Sequence, residues 1–216
     1  MDIGKMLGQL GSGMITSTEI FLLTLLFSLP LGLIISFGRM SKSGIVKTIT
    51  KVYISIMRGT PLMLQLMVVY FGPFYLFGMK ISAGYRFTAV IIGFVLNYAA
   101  YFAEIYRSGI ESMPVGQYEA CKVLGYSKTQ TFGKIILPQV IKRILPPITN
   151  EVITLVKDTS LAMVIAVSEM FTTAKAIAAS QTTMVPFIVA AIFYYVFNLL
   201  VAAGMEYSEK KLSYYR

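Results

Sequence analysis

The sequence contains no histidine and a single cysteine, Cys121. Without histidine there is no imidazole general base, and neither a Ser-His-Asp nor a Cys-His arrangement can be assembled. One cysteine permits no intrachain disulfide and no cysteine-based metal cluster, so no metal site is expected. Acidic residues are also scarce, 10 against 19 Lys and Arg in 216 residues. Charged residues reach only 13% while 56% are apolar, against roughly 25% charged in soluble domains. That balance belongs to a membrane protein, and the length suits one domain, residues 1–216. A net charge of +9 would suit nucleic acid if it formed a basic patch on a soluble surface. Here it falls between apolar runs and at the tail, where lipid headgroups and the positive-inside bias account for it. Membrane lipid is therefore an expected partner and nucleic acid is not. The opening MDIGKMLGQLGSGM sets one Lys against one Asp and lacks the positive region of a cleaved signal, so the first apolar run reads as a retained span.

Five apolar runs have about the 20 residues that a helix needs to cross the hydrocarbon. They cover about 19–38, 60–79, 87–106, 151–170 and 184–203. Pro30 lies inside the first, where a bend can be satisfied by neighbouring helices, and the fourth carries charges. The connection after span one holds Arg39, Lys42, Lys47, Lys51 and Arg58 with no acid. The connection after span three holds Arg107, Lys122, Lys128, Lys134, Lys142 and Arg143 against Glu111 and Glu119, and the tail holds Lys210, Lys211 and Arg216. The N-terminus and the other two connections hold only Lys5, Lys80, Arg86 and Lys175. The reading is an all-α membrane protein of five spans, N-terminus outside and C-terminus inside. The leading segment is expected along the outer surface. TTAKAIAASQTT, residues 172–183, is either a short amphipathic or re-entrant outer piece or a plain loop. Tyr194, Tyr195, Tyr207, Tyr214 and Tyr215 read as interfacial or packing residues.

Several polar side chains fall inside these spans. Asn97, Tyr101 and Glu104 share one helix face by i, i+4, i+7 spacing, and Glu151, Leu155 and Asp158 repeat it. The two carboxyl positions of the second set lie roughly 10 Å apart along the axis. Lys157 adjoins Asp158, and Thr60 and Gln65 add hydrogen-bonding groups to span two. A charge exposed to mid-membrane hydrocarbon costs about 2.5–3.5 kcal/mol or more, so these groups should face the bundle or water. On a structural reading, Lys157 pairs with Asp158 or Glu104, Thr60 caps a helix and Gln65 packs. On a functional reading, Thr60, Gln65, Asn97, Tyr101, Glu104, Glu151, Leu155, Lys157 and Asp158 surround a substrate. Pro61 suits a first helical turn.

The long connection contains GQYEACKVLGYSKTQTFGKIILPQ, residues 116–139. Gln117–Leu124 suits a helix stopped at Gly125, and Thr129 or Thr131 can start the next. Pro138, Pro146 and Pro147 restrict the return to the membrane. Lys134 is followed by Ile135 rather than Ser or Thr, so no phosphate loop is present. The segment is either a solvated hairpin or a short helix that docks into another protein, with Glu119 as its anchor or cap.

Glu119-Ala120-Cys121, three residues, Gly125, nine residues and Ile135-Ile136-Leu137-Pro138 together resemble the coupling loop of permease subunits of bacterial ABC importers. Cys121 stands where that family usually has a second alanine. RGTPLMLQL (58–66), NYAAYFAEIYRSGIESMPVGQYEA (97–120) and LPQVIKRILPPITNEVITLVKDTSL (137–161) resemble the polar amino acid uptake branch, over nearly the whole chain. The resemblance implies a multi-pass subunit of the bacterial inner (plasma) membrane that forms a translocation path as a dimer and is not itself an enzyme. It implies a cytoplasmic coupling loop at about 107–148, with Glu119, Ala120, Cys121 and Gly125 meeting the ATPase. ATP and Mg would sit on that partner, with no cofactor in this chain. The implied partners are a second permease (a homodimer, with a heterodimer open), two ATP-binding subunits, an external substrate-binding protein and an amino acid. The alternative is an ion-coupled secondary amino acid transporter, since embedded carboxylates carry protons in such proteins. Five spans without a visible inverted repeat weigh against it.

Overall fold

The computed structural model describes residues 2–82 and 84–212, so the expectations on Tyr214, Tyr215 and Arg216 lie outside the described residues. Helix is the only regular structure among the described residues, which contain no strand. The elements are α1 (Ile3–Arg39), α2 (Gly44–Gly59), α3 (Leu62–Phe77), α4 (Tyr85–Glu111), α5 (Val115–Val123) and α6 (Lys128–Gln130). A π-helical turn (Thr131–Ile136), α7 (Leu137–Asp158), a 3-10 helix (Thr159–Ile165), α8 (Met170–Gln181) and α9 (Val185–Lys211) complete the chain. Three helices, α1, α4 and α9, are long and apolar enough to cross a membrane, and up to five crossings result if each bent pair counts as one. The bent pairs are α2 with α3, turning by 111°, and residues 128–165 with α8, turning by 59°.

α4 is the central post. Ala89, Val90, Phe94, Tyr98, Ala99, Ala100, Phe102 and Ala103 are all buried, with α1 laid along it and α2, α3 and α7 around the remainder. α1 meets α4 through small side chains: Thr24, Ser28, Gly32 and Ser36 are buried along one side. Small residues let two backbones approach closely, which is how helices associate in a solvent as apolar as their own side chains. A Cβ on Gly32 would lie 2.8 Å from the Phe102 Cβ and 3.0 Å from the Ala99 carbonyl oxygen. Gly32→Val should therefore lower the thermal stability of the purified chain by about 1–3 kcal/mol, as overpacking does. Gly8→Val, where nothing lies within 4 Å, should leave the melting temperature unchanged. Equal melting temperatures for both variants would refute the close contact. The opposite side of α1 and most of α9 present Leu22, Leu26, Ile34, Ile188, Ile192 and Leu200 outward, as helices against lipid do.

Three sequence expectations change and one alternative is decided. The leading segment does not lie on a surface: it is the first turns of α1, capped by Asp2, whose carboxylate accepts from the Gly4 and Lys5 amides at 3.1 and 3.2 Å. Met6 and Leu10 pack there against Met170, Ala174 and Ile177. The first connection, Arg39 to Arg58, is largely the helix α2, whose apolar residues recur at helical spacing between lysines. Residues 151–170 are not one helix. α7 starts at Leu137, runs through Pro146 and Pro147 and stops at Asp158. The chain then tightens into the 3-10 turn, which ends at Ala166 in the left-handed region, φ 57°. Of the two alternatives for residues 172–183 the helical one holds, since most of them fall in α8.

Candidate functional site

α2 ends at Gly59 and α3 begins at Leu62, and Thr60 and Pro61 form the elbow between them. Pro61 is extended (ψ 133°), and the residue before a proline is steered away from helical geometry, so Thr60 is extended too (ψ 148°). The elbow is held by amides. Gln65 Nε2 donates to the Met57 carbonyl (2.9 Å), the Thr60 carbonyl (3.1 Å) and Thr60 Oγ1 (2.8 Å). Asn97 Nδ2, from α4, donates to the Met57 carbonyl and to Gln65 Oε1, both at 3.0 Å. The last turn of α2, whose carbonyls have no helical partner, is thus pinned to α4.

Beside this elbow lies a cavity of about 390 Å³ lined by Thr60, Pro61, Leu62, Asn97, Tyr98, Tyr101, Glu151, Thr154 and Asp158. Three segments far apart in sequence meet there: the elbow, the middle of α4 and the last two turns of α7. Asp158 sits at the C-terminal end of α7, where the helix dipole disfavours a carboxylate. The Tyr98 hydroxyl donates to its Oδ2 at 2.7 Å. The Arg58 guanidinium lies 5.3 Å from the Tyr101 ring centre, a cation over a π face. The site thus brings together two carboxylates, an amide, hydroxyls and one flanking cation, and pairs no nucleophile with a base.

Of the nine substrate-contact expectations, Thr60, Asn97, Tyr101, Glu151 and Asp158 line this cavity. Gln65 stands one layer behind, bonded to Thr60 and Asn97. Glu104 is elsewhere, in an ion pair with Arg107, which also holds Glu111. Leu155 is fully buried in the apolar core because it falls on the flank of α7 turned to its neighbours. Lys157 is exposed and, among the described residues, makes no ion pair with Asp158 or Glu104. Tyr98 and Thr154 were not anticipated. The Tyr98 partnership spans 60 residues of sequence, and no local spacing announces it. Glu169, inside the fourth expected span, is a helix cap: fully buried, it accepts from the Phe171 and Thr172 amides at 2.6 and 2.7 Å and from the Tyr194 hydroxyl at 3.1 Å.

A second feature lies between α4 and α7. α5 ends with Gly125 at φ 76°, a left-handed position that glycine takes without a Cβ penalty. The Tyr126 amide donates to the Cys121 carbonyl (2.9 Å) and the Gly125 amide to the Lys122 carbonyl (3.1 Å), the paired bonds of a Schellman stop. The next helix begins not at Thr129 or Thr131 but at Ser127, in a reciprocal capping box with Gln130. Cys121 is buried, and Met113, Ile136 and Val140 form a small core with Tyr118 and Phe132. Glu119 and Ala120 face outward with Val115, Val123 and Leu124, and among the described residues the Glu119 carboxylate has no hydrogen bond.

Residues 28–214 match the family described as the inner membrane component of binding-protein-dependent transport systems. The chain is 43% identical over 186 residues to a probable amino-acid ABC transporter permease protein, YckA of Bacillus subtilis, covering 86% of this chain and 80% of that one. It is 36% identical to the L-cystine transport system permease protein TcyB of the same organism, over 95% of this chain and 87% of the relative. A crystal structure of an amino acid ABC transporter with histidines superposes with a TM-score of 0.88 at 32% identity, covering 97% of this chain and 96% of that one.

Proposed function

The chain belongs to the family of inner-membrane components of binding-protein-dependent transport systems, and from that premise we propose that it forms part of an ATP-driven passage for polar amino acids. The cavity beside the α2–α3 elbow carries the reading. Glu151 and Asp158 supply negative charge for an ammonium group, and the Tyr101 hydroxyl and the flanking Arg58 guanidinium supply contacts for a carboxylate. The amino-acid relatives supply the substrate class. The cavity is open on one side of a single chain, so a second permease completes the path; a homodimer is favoured, and a heterodimer with a close relative fits the same surface. Two ATP-binding subunits and an external binding protein make up the rest.

The positive-inside bias supports placing the stretch of about 107–148 in the cytoplasm. There α5 presents Glu119, Ala120 and its exposed apolar residues to the partner ATPase, while buried Cys121 and the Gly125 stop fix the helix direction. Closure of the ATPase pair then moves α7, which carries Glu151 and Asp158, through the small core around Ile136 and Val140. Two directions of access to one cavity follow.

Vesicles containing the complete complex test the whole reading. Uptake of radiolabelled polar amino acids should require ATP and the loaded binding protein, and unlabelled amino acids should compete. Uptake driven by an ion gradient alone, with ATP absent, would overturn the ATP-driven assignment. Sugars or peptides competing where amino acids do not would overturn the substrate class.

A further inference from the structure

From residue 20 to residue 103 the sequence has no acidic residue, yet Arg39, Lys42, Lys47, Lys51 and Arg58 all fall there. α2 arranges part of that charge into one of three sectors, at 100° per residue. Thr50, Tyr53, Ile54 and Met57 face α1 and α4; Ile54 is buried, and the Tyr53 hydroxyl donates to the Leu96 carbonyl at 2.5 Å. A second sector is Ile45, Ile49, Val52 and Ile56, which are 75%, 64%, 50% and 52% exposed. Lys47, Lys51 and Arg58 form the third, about 150° around the helix from the second. Arg58 is engaged over Tyr101. Among the described residues Lys42, Lys47 and Lys51 have no ion pair, and all three are exposed.

A helix that turns by 111° into a membrane-entering neighbour cannot itself run straight across the bilayer. With one exposed apolar sector and one basic sector it has the form of a helix lying in the interface. We propose that α2 is a contact site for anionic phospholipid, with Ile45, Ile49, Val52 and Ile56 among the acyl chains and Lys42, Lys47 and Lys51 on the headgroup phosphates. Charge complementarity selects this occupant. A second copy of the chain placed two-fold on the same face would bring lysines toward lysines, since α2 and α3 hold no acid to meet them. Headgroup phosphates supply the missing negative charge, each lysine contributing up to roughly fivefold in local enrichment.

The absence of tryptophan gives a site-specific reporter, because Ile49→Trp would be the sole indole in the purified chain. Its fluorescence is read in phosphatidylcholine vesicles in which a minor fraction is either brominated phosphatidylglycerol or brominated phosphatidylcholine. Brominated phosphatidylglycerol should quench several-fold more strongly. The preference should fall to parity in Lys42→Gln/Lys47→Gln/Lys51→Gln and survive in the matching Lys→Arg triple variant. Equal quenching by the two lipids before any lysine is changed would overturn the site. So would a preference that persists in the Gln triple variant, or quenching by neither lipid, which would mean that protein covers the face.

Discussion

Glu151→Gln and Asp158→Asn are each expected to lower amino acid uptake by the assembled transporter roughly 10- to 100-fold, from the loss of one hydrogen bond to a charged group worth about 1.5–3 kcal/mol. Both changes nearly preserve volume, and in Asp158→Asn the amide oxygen would still accept from the Tyr98 hydroxyl, so the fold should hold. Tyr98→Phe is the informative companion: it removes the donor at 2.7 Å and leaves the carboxylate in place but unpositioned. It should raise the half-saturating substrate concentration more than it lowers the maximal rate. Glu104→Gln, by contrast, breaks a pair with Arg107 away from the cavity, and is expected to change assembly rather than substrate affinity. The measurement is initial uptake rate against substrate concentration, with assembly checked by size-exclusion chromatography. Wild-type affinity and rate in both carboxylate variants would remove this cavity from the path.

Gly125→Val is expected to cut substrate-stimulated ATP hydrolysis at least tenfold while leaving the chain inserted. At φ 76° a residue with a Cβ costs about 1–2 kcal/mol, and a β-branched one fits worse still. The two bonds that end α5 would be lost and the following capping box re-aimed. Gly125→Asn is the control, since asparagine tolerates this backbone region, and it should keep most of the stimulation. Glu119→Ala should weaken ATPase attachment without unfolding α5, because the carboxylate makes no contact within the described residues of this chain. Stimulation equal to wild type in both Gly125→Val and Glu119→Ala would end the assignment of this segment to coupling.

The parts of this molecule that were legible in its sequence are those written in short-range patterns. Gly125 after a helical run, Asn97 and Tyr101 one turn apart in α4, and the apolar runs that became α1, α4 and α9 reappear in the structure. What escaped was written between distant segments or masked by composition. α2 was hidden because Lys47, Lys51 and Arg58 depress its average hydropathy while its isoleucines keep the helical period. The break after Asp158 was hidden because the run continues apolar through the 3-10 turn. Glu169 belongs to no spacing pattern and is a satisfied helix cap. Asp158 found Tyr98 and Leu155 turned into the core only when α4 and α7 came together, whereas Glu104 pairs with Arg107 within its own helix.

The elbow at Thr60 also has a mechanical side. α2 grips α1 and α4 at Ile54, and a rigid helix running to Gly59 and the extended step to Thr60, together about 9 Å, separate that fulcrum from the residue that borders the cavity. A rotation of α2 by about 20° around it would carry Thr60 roughly 3 Å, the length of one hydrogen bond. The other arm, from Ile54 back to Gly44, is the longer of the two, so a small push there arrives at the cavity as a still smaller, stiffer displacement. The amide clasp formed by Gln65 and Asn97 sets the force at which that lever moves.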